Sequence, residues 1–103
     1  MKMTESQLVN SCLQYLESYK IFCYRQNTGA FKNERGGFYR FGTKGAPDIV
    51  AVVGGVYVGI ECKVGKNSLS EAQKSFQRGL EAVGGYYLVI YSLDELETKL
   101  QRL

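Results

Sequence analysis

Gly45-Ala46-Pro47-Asp48-Ile49-Val50, followed by Gly59-Ile60-Glu61-Cys62-Lys63, is the stretch that decides how this chain folds. Asp48 opens one apolar run, and Glu61 and Lys63 close another. Residues 49 to 60 between the two carboxylates read as strand, Gly54-Gly55 turn, strand. A hairpin that turns midway returns its ends to each other, so Asp48 is expected to face Glu61. Side chains alternate along a strand with period 2, which puts Glu61 and Lys63 on one side. Two carboxylates and a lysine then converge at one end of a small sheet. Hard cations such as Mg²⁺ favour an oxygen-rich arrangement of this kind and commonly share it with phosphate.

Outward from the hairpin, the remaining elements follow from caps and periodicity. Thr4-Glu5-Ser6-Gln7 is a capping-box pattern, after which Leu8, Val9, Cys12, Leu13, Leu16 and Tyr19 recur at helical spacing to about Lys20. Ile21 to Gln26 alternates and is rich in β formers. Residues 27 to 47 contain five glycines and no sustained period, which predicts a long functional loop, with Arg40-Phe41 as a short strand at most. Ile49-Val50-Ala51-Val52-Val53 is apolar throughout, as in a strand covered on both faces. Ser70-Glu71-Ala72-Gln73 opens a second helix that runs to about Val83 and stops at Gly84-Gly85. Tyr86 to Tyr91 is a further apolar strand, and Ser92-Leu93-Asp94-Glu95 caps a last short helix. The order is α-β-(loop)-β-β-α-β-α. A helix joining the last two strands makes that pair parallel, so the class is α/β with a mixed sheet.

Composition narrows the chemistry. At 103 residues, with ordinary apolar and charged fractions, the expectation is one folded domain. No apolar run approaches the ~20 residues of a spanning helix, and Met1-Lys2-Met3-Thr4-Glu5 lacks the apolar core of a secretory signal, so a cytoplasmic protein is expected. The chain has no histidine, which excludes Ser-His-Asp and Cys-His catalysis. Cys12, Cys23 and Cys62 lack Cys-x-x-Cys spacing and read as reduced thiols on apolar faces rather than zinc ligands. The net charge of +3 is concentrated. Residues 25 to 44 hold Arg25, Lys32, Arg35, Arg40 and Lys44 against Glu34, interleaved with Phe31, Phe38, Tyr39 and Phe41. That pattern suits phosphate contacts with base or sugar packing; the alternative is a solvated loop with aromatic anchors.

Each site candidate has a structural alternative. Asp48 follows Pro47, whose fixed φ helps place a carboxylate rigidly, yet an Asp at a strand edge also caps turns. Glu61 lies inside an apolar strand, where an unpaired charge is costly. A plain Glu61–Lys63 surface pair would contribute at most about 1 kcal/mol.

Pro47-Asp48 followed by Glu61-Cys62-Lys63 resembles the PD-(D/E)xK nuclease signature. The wider pattern resembles the VRR-NUC family, particularly its short standalone phage and bacterial members. The matching pieces are Glu5, Arg25-Gln26-Asn27-Thr28-Gly29, the run from Phe41 to Asp48, Ile60-Glu61-Cys62-Lys63, the run from Leu69 to Phe76, and Gly84-Gly85. They occur in order over almost the whole chain. The resemblance implies a restriction-endonuclease-like core and a nuclease domain spanning 1–103, in a bacterial or phage-infected cell. Asp48 and Glu61 would be metal ligands, with Lys63 as the third catalytic member and the Cys62 backbone carbonyl as a further ligand. Glu5 would extend the carboxylate set, although an acidic residue in a first helical turn is favourable anyway. Gln73 matches the family's helix glutamine near the active site, although it also has a local role as the third residue of a capping box.

Phosphodiester hydrolysis builds negative charge on the phosphate oxygens, so one or two Mg²⁺ or Mn²⁺ ions would be its main electrostatic stabiliser. Lys63 would orient water or stabilise the developing charge. By resemblance the products carry a 5′-phosphate and a 3′-hydroxyl. Arg25, Asn27, Thr28, Arg35, Arg40, Lys44 and Lys66 are the candidate DNA contacts. Asn27-Thr28-Gly29 would offer donors to phosphate, or else form a glycine-containing turn. The expected activity is a metal-dependent endonuclease on branched DNA, similar to a Holliday-junction resolvase working as a homodimer. Alternatives are a flap, nicking or restriction-type nuclease, or a non-catalytic nucleic-acid-binding module.

Overall fold

The computed structural model of the chain describes residues 2–26, 29–32 and 34–103, with backbone only for 29–32 and 38–41. Among the described residues are α1 (Glu5–Ser18), β1 (Phe22–Arg25), β2 (Gly29–Lys32), β3 (Phe38–Phe41), β4 (Ile49–Val53), β5 (Val56–Cys62), α2 (Glu71–Ala82), β6 (Tyr86–Ile90) and α3 (Leu93–Gln101). Four strands form a mixed sheet in the order β1-β4-β5-β6. The first two pairings are antiparallel and β5–β6 is parallel, as a helical crossover between them requires.

Local chemistry starts each helix. Thr4 and Gln7 form a reciprocal capping box, and Ser70 and Gln73 repeat it at α2. The Ser92 side chain accepts from Glu95 N–H at α3. α1 ends earlier than its periodicity implies: Tyr19 is its C-cap, and Lys20 takes φ +57. Tyr19 therefore leaves the buried stripe and is 64% exposed, its ring 4.9 Å from that of Tyr15.

One face of the sheet carries the core. Leu8, Val9, Cys12 and Leu16 of α1 and Leu96 of α3 pack with Ile49, Ala51, Val58, Ile60, Cys62 and Ile90. Each fully buried Leu or Ile there stabilises the fold by roughly 1.5–3 kcal/mol relative to exposure. The alternate residues of β4 and β5 point to the opposite face, where α2 packs on β6 and has no fully buried residue of its own. Coverage of β4 is uneven as a result. Ile49, Val50 and Ala51 are buried, but Val52 is 40% exposed, because α2 packs on β6, away from that corner of the second face.

The main departure from expectation lies within residues 27–47. Instead of a loop with one short strand, β2 and β3 pair antiparallel as a separate two-stranded sheet, with Phe31 opposite Tyr39 and Ala30 opposite Arg40. Backbone pairing over four residues per strand defines this ribbon, without the sustained alternation of a half-buried sheet.

Candidate metal centre

The β4–β5 hairpin positions the first two carboxylates. Gly54 and Gly55, with φ +57 and +81, make the tight turn that sets Ile49 opposite Ile60. One step further along, Asp48 Oδ2 accepts the Cys62 amide at 2.9 Å, so the side chain prolongs the ladder where the backbone stops pairing. The Asp48 carbonyl accepts from Gln26 N–H at 2.8 Å, which fixes the same residue to the end of β1.

Glu61 is the only buried charged side chain among the described residues, at 2% exposure. Its Oε2 accepts from Gln73 Nε2 at 3.0 Å and lies 3.5 Å from Lys63 Nζ. Burial pushes its pKa up to about 7, and the Asp48 charge pushes in the same direction. Lys63 pulls the other way by charge and hydrogen bond, while Glu5 adds a smaller upward push. Glu5 arrives from the first turn of α1, and carboxylate oxygens of Glu5, Asp48 and Glu61 all lie within 4.8 Å of one another.

These residues fit a hard divalent cation. Carboxylate oxygens are the donors that Mg²⁺, Mn²⁺ and Ca²⁺ prefer. Oxygens sharing one ion lie at most about 4.2 Å apart around Mg²⁺ and about 5 Å around Ca²⁺, twice the metal–oxygen distance. The observed cluster, within 4.8 Å, lies inside the calcium span and closes to the magnesium one by a shift of a few tenths of an ångström. Like charges this close repel, which is one reason that ionised Glu61 is disfavoured.

The other sequence candidates divide clearly. Lys63 and Gln73 join the three carboxylates through the Glu61 contacts. Gln73 does so while also acting as a cap, since its Oε1 accepts from Ser70 N–H at 2.9 Å. Cys62 is held through its amide, and its thiol points away into the core against Cys12; both are free. The hydrogen bond between these thiols, together with burial, raises the Cys62 pKa, and the same bond lowers that of Cys12. Arg25 is exposed and paired with Ile49, one position from Asp48. Lys44 and Lys66 are exposed, as is Arg35 in the β2–β3 connection. Arg40 lies on β3 with its side chain outside the described residues, and Asn27 and Thr28 lie wholly outside them.

Several supporting residues escape a reading of the sequence. The Tyr87 hydroxyl donates to the Gly45 carbonyl at 3.2 Å, tying β6 to the segment that enters Asp48. Gly45 has φ +85 and packs so closely on α2 that a Cβ would sit 2.2 Å from the Ala72 carbonyl oxygen. A Cβ on Gly59 would meet Pro47 Cγ at 2.7 Å. Gly59 had a detectable signal, since a glycine inside an apolar strand marks a close approach. Tyr87 had none, because its partner lies 42 residues away in sequence.

The chain matches no protein-family model and no curated protein.

Proposed function

We propose that this chain is a metal-dependent endodeoxyribonuclease of the VRR-NUC type, hydrolysing phosphodiester bonds in branched DNA in the manner of a junction resolvase. The observation that carries the reading is the convergence of Glu5, Asp48 and Glu61 with Lys63 held against Glu61. A protein that only bound nucleic acid would gain nothing from three carboxylates gathered where phosphate must approach.

In this reading Asp48, Glu61 and Glu5 hold Mg²⁺ or Mn²⁺. The ion supplies positive charge to the phosphate oxygens and acidifies a water. Gln73 fixes the rotamer of Glu61 by donating to Oε2, and Asp48 is fixed by the Cys62 amide. Lys63 neutralises part of the carboxylate charge in the resting site and presents an ammonium to the phosphate or its attacking water. In the same reading exposed Arg25, paired with Ile49 next to Asp48, contacts the DNA backbone from the α1 side of the sheet.

The test is cleavage of four-way junction, flap and linear duplex substrates by purified protein titrated with Mg²⁺ or Mn²⁺. Metal-dependent cutting of junctions in preference to duplex is expected, with Glu61→Gln inactive but still binding. Equal cutting of linear duplex would leave a nuclease but remove the resolvase assignment. Junction binding without metal-dependent cleavage would overturn the enzyme reading altogether. Mass in solution tests whether two copies act together.

A further inference from the structure

The second face of the sheet is only half covered. α2 lies over its β6 side, where Phe76 meets Tyr87 at 5.9 Å between ring centroids. At the β1 side, Phe22 is 67% exposed, Tyr24 48% and Val52 40%. Phe22 and Tyr24 alternate with Cys23, which packs on the core, so both rings stand on the face opposite α1. The rings meet edge to face, with centroids 6.3 Å apart. Phe22 is paired with Val52 and Val52 with Tyr57, which extends the apolar row across three strands.

Glu61 belongs to this same face, because Ile60 and Cys62 on either side of it point into the core. Tyr24, Val50 and Gly59 form one row across the sheet, and Asp48 and Glu61 lie two residues further along. Two strand spacings across and two residues along separate Tyr24 from Glu61 by roughly 12 Å, and one spacing across separates it from Asp48 by roughly 8 Å. The strand bearing the two rings also opens the basic part of the chain. From Lys20 to Lys44 the sequence has six basic residues and one acidic residue.

We infer that Phe22 and Tyr24 form a stacking platform for unpaired bases of a nucleic-acid strand whose phosphodiester lies at the carboxylate cluster. The inference rests on the nuclease reading for its register, and it narrows the substrate to strands whose bases are unpaired beside the cut, as at a flap or an opened branch point. Aromatic rings on an open sheet face bind bases by stacking, which tolerates any sequence but requires the base to leave its helix. A duplex keeps its bases stacked on one another and presents only phosphates. The basic segment attracts both forms, while the rings distinguish them.

The test is equilibrium binding in Ca²⁺ of a fluorescent 15-nucleotide single strand, a duplex with a single-stranded extension, and a blunt duplex. Because both residues are exposed, Phe22→Ala/Tyr24→Ala is expected to fold normally. It should weaken the single strand and the extended duplex roughly tenfold or more, and the blunt duplex less than about twofold. Phe22→Tyr/Tyr24→Phe retains both rings and should bind as the wild type does. Equal losses on all three ligands, or no loss on any, would overturn the platform. So would a fall in mass of the alanine variant without a change in binding, which would make this face a contact between copies. Failure of the wild type to cleave these ligands or a four-way junction with Mn²⁺, with the selective binding loss intact, would remove the nuclease reading and leave the platform standing.

Discussion

Gln73 Nε2 donates to Glu61 Oε2 at 3.0 Å, and the same side chain accepts the Ser70 amide through Oε1 at 2.9 Å. One residue therefore both starts α2 and holds the buried carboxylate. The helix cannot shift along the sheet without moving the group that orients Glu61. These two roles can be separated by mutation.

Gln73→Glu keeps an acceptor suited to the capping box but replaces a donor to Glu61 with a second carboxylate. Gln73→Ala loses both. The glutamate variant is expected to match the wild type in urea unfolding at pH 5, where Glu61 is protonated, and to fall below it by about 1–3 kcal/mol at pH 8. The alanine variant should be less stable than wild type at both values, by about 1 kcal/mol at pH 5 from the lost cap. Identical pH dependence in the two variants would refute the double role.

Glu61 makes the metal-free protein pH-sensitive. Its folded pKa, about 7, lies above the ordinary 4.5, so its contribution is fully present below about pH 4.5 and is lost as pH rises through 7. A shift of that size corresponds to about 3 kcal/mol. Thermal melts without metal should thus fall between pH 5 and 8. Glu61→Gln should flatten this dependence and melt higher than wild type at pH 8. Adding Mn²⁺ at pH 8 should raise the melting temperature of the wild type and leave that of the variant unchanged. A wild-type melt that stayed level between pH 5 and 8 would show that Glu61 ionises without cost.

Asp48 has a structural bond and a proposed metal bond, and they too can be divided. Asp48→Asn retains an acceptor for the Cys62 amide, whereas Asp48→Ala leaves that amide without its partner. The asparagine variant should unfold within about 1 kcal/mol of wild type while losing Mn²⁺ affinity by calorimetry. The alanine variant should lose the affinity and about 1–3 kcal/mol of stability as well.

Two glycines should respond oppositely to alanine. At Gly59 a Cβ would overlap Pro47 Cγ, so Gly59→Ala should cost about 1–3 kcal/mol in chemical denaturation and displace the segment entering Asp48. At Gly79, within α2, a Cβ meets nothing within 4 Å, so Gly79→Ala should stabilise by about 0.5–1 kcal/mol. A neutral Gly59→Ala would mean that the Pro47 contact is loose.

Local chemistry explains what could be read in advance. The two capping boxes are four-residue devices, and both form as the pairs Thr4/Gln7 and Ser70/Gln73 indicate. Gly54-Gly55 sets the hairpin register, and alternation then places Glu61 opposite the core-facing Ile60 and Cys62. The β2–β3 ribbon was illegible because those local signals are missing from it. Its strands pair over four residues each, with neither the two-residue turn nor the apolar runs that marked the β4–β5 hairpin. Val52 was misjudged because an apolar run reports what a strand tolerates, and coverage depends on where α2 comes to rest.

The sequence by itself determined the helix starts, the hairpin, the mixed sheet and the meeting of Asp48 with Glu61, since caps, turns and strand alternation act over a few residues. Only the tertiary structure decided that Glu5 joins those two carboxylates, that Gln73 reaches Glu61, and that Tyr87 and Gly45 brace the approach to Asp48. Those contacts depend on how α1 and α2 dock on opposite faces of the sheet, and docking is set by the summed packing of the whole core. The buried Glu61 belongs to both levels: its place in an apolar strand was written locally, but its raised pKa arises from what the fold gathers around it.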